Sequence, residues 1–149
     1  MAHRSTGSCR ELFKLLSDEY FLASKTINYH WNVKGLQFSE AHHLFEEQYQ
    51  WLLQTMDNLA ERIRSFGVTV PVKHALFTQE SHIGEGEADF SVVQMIADLV
   101  KSHEIVIKDM EHAISIFEKE RDYGSQDVVT GLLIAHQKHH WMLKSYLEG

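Results

Sequence analysis

The chain has 149 residues and a mass of 17.3 kDa, a formal net charge of -7 with histidines neutral, 44% hydrophobic and 23% charged residues, eight glycines and one proline. This composition suits one domain with one core and excludes both a disordered chain and a turn-rich all-β fold. The acidic balance disfavours phosphate backbones, no apolar run reaches membrane-span length, and the lone Cys9 forbids an internal disulfide, so a cytoplasmic helical protein is expected.

The opening residues, MAHRSTGSCRELFKLL, hold no apolar secretory core and are expected to start as a short tail over residues 1–8. A helix is expected from about Ser8 to Trp31, with Leu12, Leu15, Leu16, Tyr20 and Ala23 on one stripe and Phe13 and Ile27 beside it. Gly35 suits a helix C-terminus and Ser39 an N-cap. A second helix then runs to about Phe66, its stripe being Ala41, Phe45, Tyr49, Leu52, Met56, Leu59, Ile63 and Phe66. Gly67 and Pro71 end it. VKHALFTQESHI reads as one or two helical turns, and GEGEADFSV as a connection. A third long helix is expected from about Ser91 to Arg121; after the turn DYGSQD, Ser125 or Asp127 caps a fourth that ends near Leu147. Together these elements make a single all-α domain over residues 1–149, a four-helix bundle with a short extra helix in the crossover between the second and third long helices.

Eleven histidines are many for this length. On the second helix, His42 with Glu46 and Asp57 with Glu61 form two (i, i+4) pairs. At about 100° per residue from Phe45 they fall near 60°, 100°, 120° and 160°, all on one flank of the apolar stripe. Asp57 with Glu61 alone reads most simply as solvated surface, although the two repel one another by a few tenths of a kcal/mol, and His42 with Glu46 alone reads equally as a surface pair or as ligands. Glu46 and Asp57 lie about 16 Å apart along a straight helix, whereas metal–ligand bonds are about 2.0–2.6 Å. One chain therefore cannot build one site from both pairs.

Two copies packed antiparallel about a dyad between Trp51 and Leu52 can do so, with Gln50 and Leu53 near the midpoint. His42 would then meet the partner's Glu61, and Glu46 the partner's Asp57, giving two identical sites per dimer. His30 is a further candidate, brought near by the short connection, although a lone histidine beside Trp31 is more often a core group bonded to a carbonyl. Two imidazoles and three carboxylates suit ferrous iron, with zinc or manganese as competitors, and the lack of thiolate argues against structural zinc. His136, His139 and His140 share a face of the last helix. With few acids nearby in sequence, they read as a polar flank or a secondary metal site.

The segment YHWNVKGLQFSEAHHLFEEQYQWLLQTMDNLAERIRSFG, with the later HHWML, resembles the Dps family, small ferritin-like proteins of starved bacteria. The family pattern of H-W-N, a histidine twelve residues on, and acids four, fifteen and nineteen residues after that falls on His30, His42, Glu46, Asp57 and Glu61. The resemblance implies a ferroxidase centre shared between subunits of a hollow homo-dodecamer. His30, His42 and Glu46 would come from one chain, and Asp57 and Glu61 from its mate. It implies oxidation of Fe(II), chiefly by hydrogen peroxide and more slowly by oxygen, and storage of Fe(III) mineral that protects against oxidative damage. Trp31 would be an electron donor beside the site or simply a packing residue. Acids near the start of the last helix, here Asp122 and Asp127, would line iron-admitting pores, with Gly131 standing where the family has a further aspartate.

One departure is Glu46, where the family usually has aspartate; the extra methylene moves the carboxylate by about 1.5 Å, which leaves Glu47 or His43 as substitutes. Larger ferritins use paired E-x-x-H motifs, and Glu40 to His43 supplies that spacing only once. The alternative within the family is a DNA-protecting, nucleoid-associated oligomer with weak ferroxidase activity. Here the first residues offer only His3, Arg4 and Arg10 for phosphates, so DNA binding is not favoured.

Overall fold

A computed structural model describes residues 2–148, with side chains from residue 7 onward. Its helices are α1 (Ala2–Asn32), α2 (Phe38–Ser65), α3 (His74–Glu80), α4 (Val92–Lys119) and α5 (Tyr123–Leu147), and the described residues contain no strand. α1 packs on α2 and α4, α5 packs on α4, and α3 lies against α1. This is the ferritin-like four-helix bundle expected from the sequence, with α3 as the short helix of the crossover. Tyr29 with Asp98, and Lys25 with Ser102, show that α1 and α4 run antiparallel.

Three local expectations need correction. The helix begins at Ala2, so the expected tail is helical from its second residue. Gln37, not Ser39, is the N-cap residue of α2, and its side chain makes no capping bond. α5 is capped by Asp122, one turn ahead of the expected Ser125 or Asp127: the carboxylate accepts the Ser125 amide and the Arg62 guanidinium at 3.1 and 3.0 Å. The turns themselves follow the glycines, Gly35 at φ 108° and Gly67 at φ 80°, a region that only glycine enters without strain. Ser91 forms a capping box with Gln94 and starts α4.

The core stripe of α2 is Ala41, Phe45, Gln48, Leu52, Thr55, Leu59 and Ile63, with Tyr49 and Met56 displaced to its edge. Gln48 and Thr55 occupy the heptad positions by spacing, so α2 carries polar groups into the middle of the bundle. Between α1 and α4, buried Lys25 is held by Asp98 at 3.1 Å and Ser102 at 2.9 Å.

Candidate metal centre

The hairpin between α1 and α2 brings His30 and His42 together. Each ring donates from Nδ1 to the other's backbone carbonyl, His30 to His42 at 2.8 Å and His42 to His30 at 2.7 Å. A carbonyl only accepts, so each neutral imidazole carries its hydrogen on Nδ1 and keeps its lone pair on Nε2. The rings stack with centroids 3.9 Å apart and planes inclined by 17°. Phe38 stacks on His42 at 4.9 Å, and Tyr49 closes on His30 at 5.3 Å. Metal-binding histidines need this arrangement, in which the second nitrogen fixes tautomer and ring orientation. The carbonyl bond expected of a core histidine is present at His30 and leaves its Nε2 unused.

Glu46 follows one turn after His42 with its carboxylate partly exposed and 3.8 Å from His43 Nδ1. Within the chain it does not close on both imidazoles to complete a three-donor set. Asp57 and Glu61 lie further along α2, fully on the exposed side, as does Leu53. The two sets of donors stay apart in one chain and share a surface that includes Gln50 and Leu53. Trp31 is 73% exposed, so a packing role inside the chain is not found. Asp127 and Gly131 are exposed, whereas the Asp122 carboxylate is tied to Arg62 and Ser125. Burial works against charge on Asp122, yet its bonds from Ser125 and the Arg62 guanidinium hold its pKa below the usual value.

The histidines of α5 are placed differently from expectation. His136 is fully buried, and its Nε2 donates to Glu19 Oε1 at 2.7 Å while its Nδ1 lies 2.9 Å from His103 Nδ1. The scarcity of acids was a property of the local sequence only; Glu19 arrives from α1, and Glu104 from α4 meets His140 at 2.9 Å. Trp51 packs on His136 and His139 with centroids 4.9 and 4.5 Å apart. Burial, then the charge of His136, pushes His103 well below the usual imidazole value and His139 down to about 4. Glu19, His136 and His103 form a line of donors, not a cage, so their first effect is to fasten three helices.

The family model described as a ferritin-like domain matches residues 9–149. An uncharacterized low temperature-induced protein of Nostoc is 38% identical over 136 residues, covering 90% of this chain and 76% of that one. The crystal structure of Dps from Staphylococcus aureus superposes with a TM-score of 0.90 at 33% identity, covering 94% of each chain. Dps from Vibrio cholerae, described as a member of a broad superfamily of ferritin-like diiron-carboxylate proteins, superposes with a TM-score of 0.93 at 25% identity over 97% of this chain and 91% of that one. With the bundle, the crossover helix and the paired imidazoles in place, the chain belongs to the Dps family of ferritin-like proteins.

Proposed function

We propose that this protein oxidises Fe(II) at centres shared between two subunits and stores the Fe(III) product in a hollow shell of twelve. The observation that carries this reading is the reciprocal locking of His30 and His42, which presents two lone-pair nitrogens beside Glu46 on a surface that also carries Asp57 and Glu61. His30, His42 and Glu46 bind from one subunit, and Asp57 and Glu61 from the other. Iron is the substrate. Carboxylates stabilise the ferric state over the ferrous and so ease electron loss; the imidazoles fix geometry and leave positions open for the oxidant. Two ferrous ions each release one electron to hydrogen peroxide, which takes up two protons and leaves as two waters. No hydroxyl radical is formed when both electrons pass at one site. Exposed Trp31, next to His30, is placed to donate an electron to a stray oxidising equivalent. Storage in the cytoplasm fits a chain in which no helix is long and apolar enough to cross a membrane.

The test is stopped-flow ferric absorbance after mixing ferrous iron and peroxide with the assembled protein. Wild type should outpace free iron and suppress hydroxyl-radical trapping. His42→Ala should slow the initial phase by at least about tenfold, since even lost partners of metal ligands cost about 10–100-fold. An unchanged rate in His42→Ala contradicts the assignment.

A further inference from the structure

Away from α2, three side chains from three segments meet under the crossover. Asp18 comes from α1, His82 from the stretch that leaves α3, and Asp109 from α4; one donor atom of each lies within 4.8 Å of the other two. It is the one such three-donor group among the described residues. Asp18 is 1% exposed, and its Oδ1 accepts the His82 amide at 2.9 Å and the Ser81 hydroxyl at 3.1 Å. His82 Nδ1 lies 2.8 Å from Asp109 Oδ2. Two carboxylates this close, Asp18 buried and Asp109 partly so, are eased either by a shared proton or by a cation. Burial first, and Asp109 second, push Asp18 up to about 9.

The cluster borders a cleft of about 230 Å³ lined by Glu11, Lys14, Glu80, His82, Asp109 and His112. In it His112 meets Glu11 at 3.3 Å, and Lys14 meets the same carboxylate at 3.6 Å. The cleft leaves room for water to complete a coordination sphere.

We propose that Asp18, His82 and Asp109 bind a divalent transition-metal ion that fastens the crossover to α1 and α4. One imidazole and two carboxylates give a mixed nitrogen and oxygen set with a charge of about −2 when His82 is neutral, matched by a divalent ion. The imidazole favours zinc, ferrous iron or manganese over calcium and magnesium. The ion takes the place of any proton shared by the carboxyl groups and of any hydrogen between His82 and Asp109. It needs no second subunit, so it stands whether or not iron is oxidised on α2.

Asp18→Asn separates a metal ligand from a structural fastener. The amide oxygen accepts the same bonds from Ser81 and His82 and the side chain keeps its size, so the fold survives while the anionic ligand is lost. Titration calorimetry with zinc chloride should count one fewer ion per chain in Asp18→Asn than in wild type. Zinc should raise the Tm of wild type more than that of the variant, because binding the folded state alone stabilises it. His82→Ala, at a mostly exposed side chain, should weaken the same binding event at least about tenfold and serves if Asp18→Asn disturbs folding. Equal zinc counts and equal Tm responses in wild type and both variants overturn the site.

Discussion

At the residue scale, His30 and His42 illustrate what spacing reveals and what it conceals. Their separation of twelve residues across a glycine turn was enough to bring them together. Their mutual bonds to each other's carbonyl depend on rotamers and backbone direction, which no pattern of letters carries. His136 was legible in principle and misread. Val129, Leu132, His136 and Leu143 share one buried stripe, so spacing alone placed the imidazole inward. The expectation failed because acids were sought nearby in sequence, while Glu19 lies on another helix. Glu19→Ala should therefore cost at least about 2 kcal/mol in urea unfolding, since it strands a buried imidazole without its partner. A loss under about 0.5 kcal/mol, typical of surface changes, would mean that the contact carries little.

His139 gives a pH signature with a definite sign. Its folded pKa lies near 4, below the ordinary 6.5, so the unfolded chain binds the proton first. The stability it contributes is present above pH 6.5 and is lost as pH falls from there toward about 4. Buried His103 shifts in the same direction. Asp18 acts in the opposite sense, its contribution being lost as pH rises from 3.8 toward about 9. Comparing wild type with His139→Gln isolates the first effect: the Tm of the variant should fall less steeply between pH 6.5 and 4. Parallel curves would contradict it.

At the element scale, the long helices were legible because each carries an apolar repeat and is bounded by glycine, proline or a capping residue. Their first and last turns were not, since capping depends on which side chain reaches an amide. Ser125 and Asp127 looked suitable as caps, but the residue at the α5 start is Asp122, whose carboxylate accepts the Ser125 amide and also bonds Arg62 of α2. That double duty predicts that Asp122→Ala costs about 1–2 kcal/mol, more than a simple cap on an isolated helix. Thermal unfolding at pH 7 measures it, and an unchanged Tm would show that neither the cap nor the Arg62 link contributes. The same bonds occupy the Asp122 carboxylate, which leaves exposed Asp127 as the freer acid at this end of the bundle.

At the scale of the whole molecule, the proposed centre on α2 requires a second copy. Helical geometry places Glu46 and Asp57 about 16 Å apart, while Leu53 between them is 45% exposed. An exposed leucine flanked by candidate metal ligands fits a contact between subunits, and the proposed dyad pairing would cover it. Twelve chains of 17.3 kDa should give an assembly of about 208 kDa by analytical ultracentrifugation, and a mass of one or two chains would exclude a closed shell. The net charge of -7 per chain predicts no gel shift of duplex DNA at physiological salt; tight binding there would favour the DNA-protecting alternative.

The most direct measurement mixes two variants expected to be inactive. His42→Ala removes a proposed ligand from one side of the proposed shared centre, and Asp57→Ala removes one from the other. Co-refolded in equal amounts, half the dimers pair unlike chains, and each such dimer regains one intact site of its two. Peroxide-driven iron oxidation should return to about a quarter of the wild-type rate. No recovery in dimers verified as mixed would place all the ligands within one chain and contradict the shared centre.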